Sequence, residues 1–258
     1  MPELPEVETL CRQLHPIVVG KRIEHARVLD AKLGEISGLR GRRIRSVQRQ
    51  GKMLGFRLDD GRHLWLHLRM SGRLHWDTNG GQPSHLRWVV LFSDGRALFI
   101  DPRRFGTVSI ESERACMLPG MDPLLACGAS QLHGVSASRT LPVKSFLISQ
   151  QWVAGLGNIY ACEILHRAGI SPWRRAGELT RADWGKTISA TRSILTHAIA
   201  CRGTTVSDWR DLHGNPGEYQ YHLAVYKRSG EPCLRCGGVV RREPLHGVGT
   251  YFCPDCQR

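Results

Sequence analysis

The chain has 258 residues, and its 36 Lys and Arg against 23 Asp and Glu give a formal net charge of +13 and a pI near 9.8. No apolar run approaches the length of a membrane span, and the N-terminus lacks the basic-then-apolar order of a signal peptide, so a soluble cytoplasmic protein is expected, with two domains of ordinary size and a small module. Such an excess of positive charge repels itself unless phosphates match it. Nucleic acid is therefore the expected partner, ahead of a membrane surface, because the cations are spread along the chain and form no juxtamembrane cluster.

The first ten residues, MPELPEVETL, hold two prolines and three glutamates. Leu4, Val7, Leu10, Cys11 and Leu14 recur at helical spacing, Pro5 falls in the first turn where its missing N–H costs nothing, and Glu3, Glu6 and Glu8 put negative charge at the positive end of the dipole. A docked helix with Pro2 just outside it is predicted. Two readings fit: a helix with an acidic, capped first turn, or a chemical group in which removal of Met1 leaves Pro2 as a free secondary amine beside the Glu3 carboxylate.

From about residue 22 to 111, apolar and polar residues alternate between turn signals, with Asp-Gly at 60–61 and 94–95 marking hairpins. Two packed sheets with the N-terminal helix against them are predicted, giving a β-sandwich domain over residues 1–115. Lys52 in RQGKML and Met70 in HLRMSG fall at or near strand ends, and DPRRFG follows a strand directly. Arg103, Arg104 and Phe105 in that stretch suit either a loop that wedges into a base stack or a hairpin with a core aromatic and two surface arginines.

Pro119, Gly120 and Pro123 break the pattern and define a linker over 116–130. Helical periodicity then runs from about 131 to 215, and a helical domain is placed at 131–222. Within it, VAGLGNIYACEIL sets Gly155, Gly157 and Asn158 before an apolar helix, a turn whose N–H groups suit a phosphate. Lys144 upstream is either a point charge at that turn or a solvated surface lysine. In the last module, 223–258, CLRC and CPDC are separated by sixteen residues, with strands expected to flank the cysteine pairs. Cys233, Cys236, Cys253 and Cys256 in this spacing predict one tetrahedral structural zinc ion. Cys11, Cys116, Cys127, Cys162 and Cys201 are scattered and read as buried small hydrophobes.

MPELPEVETL, HLRMSG, DPRRFG, VAGLGNIYACE, RGTTVSDW and CLRC…CPDC occur in the order found in the formamidopyrimidine-DNA glycosylases, which the whole chain resembles. The opening and DPRRFG favour this branch over the endonuclease VIII group. The resemblance implies an α+β protein: a β-sandwich with an N-terminal helix, then a helix-two-turns-helix domain with a zinc ribbon. It implies a bacterial, nucleoid-associated, monomeric base-excision repair enzyme that removes 8-oxoguanine and formamidopyrimidines from damaged duplex DNA and nicks the strand by β-elimination, with δ-elimination left open as a second step. By resemblance, Pro2 is the nucleophile, Glu3 the proton shuttle, and Lys52 assists while touching phosphate. Met70, Arg103 and Phe105 fill the hole left by the flipped lesion, His85, Lys144 and Asn158 contact the DNA backbone, Arg104 belongs to the same DNA-binding loop, and residues 213–228 form the loop over the flipped base. Where family ribbons read QRSTYFCP, this chain reads HGVGTYFCP, so Val248 replaces a phosphate-contacting arginine, with Arg241, Arg242 and His246 nearby. Two further readings stay open: the same fold with another lesion range such as oxidised pyrimidines, and a catalytically weakened damage-binding protein, against which the intact Pro2, Glu3 and Lys52 argue.

Overall fold

The computed structural model describes residues 1–34, 36–112, 120–125 and 127–258. Cys116 and Pro119 of the expected linker lie outside the described residues. Two compact units result: Met1–Met117 with Ile199–Gln220, and Leu118–Ala198 with Tyr221–Arg258. Among the described residues, no helix is long and apolar enough to cross a membrane.

In the first unit, α1 (Leu4–Val18) precedes β1 (His25–Val28), β2 (Ile44–Gln50), β3 (Met53–Leu58), β4 (Arg62–His67), β5 (Arg73–Asp77), β6 (Leu86–Phe92), β7 (Gly95–Ile100) and β8 (Thr107–Ser112). The strands make two antiparallel four-stranded sheets, ordered β1-β6-β7-β5 and β2-β3-β4-β8. The Asp-Gly turns close the β3–β4 and β6–β7 hairpins, as their chemistry dictates. One core joins Trp88, Val90 and Phe99 of the first sheet to Leu54, Phe56 and Leu66 of the second, and α1 adds Val7, Leu10, Leu14 and Val18. The helical spacing thus marks the buried stripe of α1.

The second unit holds α2 (Ala129–Ser136), α3 (Val143–Ile148), α4 (Asn158–Ala168) and most of α5 (Arg181–Ala200), then a hairpin of β9 (Arg241–Leu245) and β10 (Val248–Phe252). This hairpin lies between the two cysteine pairs and does not flank them, since each pair occupies its own tight turn. Cys11, Cys127 and Cys162 are buried. Cys201, just past the last residue of α5, is only half-buried and so departs from that reading.

Candidate active site

The first turn of α1 gathers buried polar groups that an apolar stripe does not require. Pro2 is buried beneath a half-exposed Met1, and Glu3, Glu6 and Lys52 are 3%, 2% and 6% exposed. Glu3 is the N-cap, in extended conformation, and Glu6 Oε2 accepts its backbone N–H at 2.8 Å while the Glu3 carboxylate accepts the N–H of Glu6, a reciprocal capping box. Glu6 Oε1 accepts a second backbone N–H, that of Thr204, at 2.7 Å. Gly203 permits this approach: its φ is +84°, and a Cβ there meets Glu6 Oε1 at 2.6 Å.

Lys52 sits in the turn of the β2–β3 hairpin. Burial lowers its pKa, and the charges of Glu3 and Glu6 pull it part of the way back. His67, at the end of β4, is lowered to about 4, first by burial and then by Arg69 and Lys52, so its ring is neutral at pH 7. Its Nδ1 accepts the Arg69 N–H at 3.0 Å. Behind the helix, burial raises Glu8, but hydrogen bonds and charge from Arg12 and Arg49 outweigh it and the net shift is downward. An N-terminal group thus lies next to a carboxylate fixed by helix geometry and near a desolvated cation, an arrangement suited to amine nucleophilic chemistry with proton transfer.

Two loops at strand ends each carry one exposed large apolar side chain. Met70 follows β4 and is 45% exposed; Phe105, between β7 and β8, is 47% exposed. The DPRRFG segment runs from one sheet to the other and is not a hairpin, so Phe105 is no core aromatic. The Arg103 guanidinium lies 4.9 Å from the Phe105 ring centroid. Arg104 is committed elsewhere, donating to both carboxylate oxygens of Asp30 at 2.7 and 2.8 Å. Those bonds, together with Arg87, hold Asp30 well below the usual carboxylate range despite desolvation. His85, exposed and at φ +61°, shares with Asp30, Arg87, Asp101 and Arg104 the wall of a cavity of about 430 Å³.

In the second unit, Gly157 caps α4, and Gln150 braces the preceding turn by accepting the Gly155 N–H at 2.8 Å and donating to Leu156 O at 2.9 Å. Lys144 is not a surface lysine: it is 1% exposed, and its Nζ donates to Thr250 Oγ1 at 2.7 Å. Asn158 Nδ2 donates to Gly249 O at 3.0 Å, and Ser145 Oγ is 3.1 Å from His246 Nδ1. These three contacts join α3 and the start of α4 to the β9–β10 hairpin.

The sulfurs of Cys233, Cys236, Cys253 and Cys256 all lie within 4.8 Å of one another, with Cys233–Cys256 at 3.8 Å and Cys236–Cys253 at 3.5 Å. These separations are far longer than a disulfide and match the roughly 3.8 Å edge of a sulfur tetrahedron built on Zn–S bonds of about 2.3 Å. The set fits zinc, which is the structural ion of this module. The module's apolar core is small, Val225 and Val240 with Cys162, Cys233 and Cys253, so cross-linking by the metal supplies what burial does not.

Known proteins match along the whole chain. Residues 1–108 match the formamidopyrimidine-DNA glycosylase N-terminal domain, 120–209 its H2TH domain, and 230–258 the zinc finger found in FPG and IleRS. A formamidopyrimidine-DNA glycosylase of Desulfitobacterium hafniense is 38% identical over 274 residues, covering all of both chains. The chain belongs to the formamidopyrimidine-DNA glycosylase family. A Lactococcus lactis FPG mutant in complex with Fapy-dG containing DNA superposes with a TM-score of 0.92 at 31% identity over all of both chains. A MutM in complex with carbocyclic 8-oxo-G containing DNA has a TM-score of 0.90 at 32% identity.

Val248, half-buried, opens β10 opposite Leu245. The Arg242 guanidinium lies across Gly249, so close that a Cβ there meets Nη2 at 2.9 Å. Sequence reasoning missed Glu6, Thr204, Asp30 and Gln150 as parts of the site. The only signal for the first two was RGTTVSDW, whose glycine precedes the N–H that Glu6 receives.

Proposed function

We propose that this glycosylase is bifunctional: it removes oxidised purines, 8-oxoguanine and formamidopyrimidines, from damaged duplex DNA in the bacterial cytoplasm and then cuts the strand as an abasic-site lyase, acting as a monomer. The observation that carries the reading is the burial of Pro2, Glu3, Glu6 and Lys52 around the start of α1. Once Met1 is removed, the Pro2 nitrogen is a secondary amine. It attacks C1′ of the damaged nucleotide, the bond from C1′ to the base breaks, and the base leaves with the electron pair. Glu3 protonates the ring oxygen, the sugar opens, and an iminium links Pro2 to C1′. Loss of a C2′ proton then expels the 3′ phosphate, and a second elimination expels the 5′ phosphate.

In this reading Lys52 holds a phosphate. Met70, Arg103 and Phe105 enter the space of the extruded base, His85 and Asn158 hold the backbone, and Lys144, buried against Thr250, braces the ribbon hairpin, with Arg104 fixing the DPRRFG loop. The zinc holds the ribbon's shape and takes no part in bond breaking. The chemistry of the relatives supports the lesion choice, since formamidopyrimidine and 8-oxoguanine are bound by proteins similar along their full length.

The test is borohydride reduction with duplexes bearing single lesions. A covalent protein–DNA adduct is expected with 8-oxoguanine and formamidopyrimidine duplexes. Equal trapping by protein whose N-terminus is extended, so that Pro2 has no free amine, overturns the proline mechanism, and preferential release of oxidised pyrimidines overturns the lesion choice.

A further inference from the structure

We propose that the buried Asp101 carboxylate yokes the Met70 and Phe105 loops into one rigid wedge, making Asp101 a positioning residue for base extrusion. The inference rests on the reading of those loops given above.

Asp101 follows the last residue of β7 and has no solvent exposure. Its Oδ1 accepts the hydroxyl of Ser71, the neighbour of Met70, at 2.5 Å. Its Oδ2 accepts the N–H of Gly106, the neighbour of Phe105, at 2.7 Å. One carboxylate therefore holds the residues adjoining both exposed apolar side chains. Arg87, 2% exposed, lies behind it, donating to Asp101 Oδ2 and to Gly106 O, each at 3.3 Å. Arg87 Nε donates to Asp30 at 2.6 Å, and Asp30 in turn grips Arg104 of the DPRRFG loop.

A network of buried, paired charges holds its members to one geometry, because any displacement strands a desolvated charge, and here only Nη2 of Arg87 among the network's described atoms lacks a partner. Met70 and Phe105 protrude into solvent from backbone that this network anchors. Inserting a preorganised wedge avoids the entropy of ordering two separate loops during extrusion. A buried Asp–Arg pair that served the sandwich alone has no need to bond the residues beside both protruding side chains.

The experiment compares wild type with Asp101→Asn, Ser71→Ala and Phe105→Ala under single-turnover conditions. The substrates are a duplex with one 8-oxoguanine opposite cytosine and the same duplex with a preformed abasic site, and 2-aminopurine beside the lesion reports unstacking. Losing one charge-assisted bond is expected to slow base release and the 2-aminopurine signal by about tenfold in Asp101→Asn and Ser71→Ala. Cleavage at the abasic site, where no base is extruded, is expected to fall far less. Equal loss of both activities assigns Asp101 a purely structural role and overturns the inference, as does no loss in either. Ser71→Ala, which leaves the Asp101–Arg87 pair intact, decides the matter if Asp101→Asn does not fold. If Phe105→Ala releases the base at the wild-type rate, the wedge reading itself falls; if it slows while the Asp101 and Ser71 variants do not, only the yoke falls.

Discussion

His166 Nε2 lies 3.2 Å from Cys233 Sγ, both buried, at the C-terminal end of α4. A thiolate accepts, so the ring donates its Nε2–H, and the cysteine tetrahedron is supported from the helix as well as from its own turns. Replacing His166 with Phe removes this donor and keeps an aromatic ring in place. Zinc transfer to a chelator, followed with a colorimetric indicator, is expected to become roughly 10–100-fold more favourable. Unchanged zinc retention sinks the idea. Cys236→Ser, which removes a ligand, is expected to purify without stoichiometric zinc.

Glu6 receives two backbone N–H groups, from Glu3 and Thr204, one on each oxygen. In Glu6→Gln only one oxygen remains, so one N–H loses its acceptor, at a cost of about 1–3 kcal/mol. The same change removes a negative charge that raises the pKa of Lys52. Lys52 then loses its proton at lower pH, so the alkaline limb of borohydride trapping is expected to move toward neutrality. Gly203→Ala, which drives a Cβ against Glu6 at positive φ, is expected to destabilise by about 1–3 kcal/mol and slow trapping without moving that limb. A pH profile identical in wild type and Glu6→Gln contradicts this account.

The ribbon tip tests the strand-cutting step. Val248 can neither neutralise nor hydrogen-bond a phosphate, whereas a charge-assisted contact is worth about 1.5–3 kcal/mol, or roughly ten- to a hundredfold in rate. Val248→Arg is expected to raise the share of double-elimination product on abasic-site DNA. Arg242 is a hairpin cation seated across Gly249, and Arg242→Ala is expected to lower whatever share the wild type makes. Identical 3′ ends from all three proteins mean that the second elimination does not use the ribbon.

Asp30 sets an acid limit. A carboxylate with a depressed folded-state pKa contributes stability that is complete above its unfolded value, about 3.9, and is lost as pH falls through the folded value. Glu8 and Asp101 are shifted the same way. Wild-type melting temperature is expected to fall first between about pH 6.5 and 4, where the unfolded chain protonates His67 while the folded ring stays neutral, and to fall further below about 4 as the carboxylates take up protons. Asp30→Asn is expected to melt lower at pH 7, with a gap that narrows as acid protonates the wild-type carboxylate. A gap constant down to pH 3 rules out this linkage.

Local pattern carried much of this into the sequence. The stripe from Leu4 to Val18 has helical period because one face is buried, the Asp-Gly pairs close hairpins because of their turn conformation, and the cysteine spacing reflects two metal-binding turns. The ambiguity at DPRRFG was real, since an aromatic between two strands reads alike as core or wedge until the connection is seen to change sheets. Lys144 was equally opaque, because its burial depends on Thr250, 106 residues away. The bonds of Asp30 to Arg104 and of Glu6 to Thr204 span 74 and 198 residues, and no periodicity encodes such pairs.

Those long separations bear on synthesis. Besides the Glu6–Thr204 bond, Gln13 of α1 donates to Asp211 at 2.9 Å and accepts the Leu212 N–H at 3.0 Å. α1 is synthesised well ahead of its partners, which lie 198 residues further along for both Glu6–Thr204 and Gln13–Asp211. Contacts of such high order form late in folding. A nascent chain already contains Pro2, Glu3 and Lys52 when it has grown past the sandwich, but the carboxylate of Glu6 still lacks the Thr204 donor and α1 its tie to 211–212. The setting of Pro2, Glu3 and Lys52 is thus completed only once residues 204–212 have been made, and a product that stops before them carries those side chains without the clasp on α1.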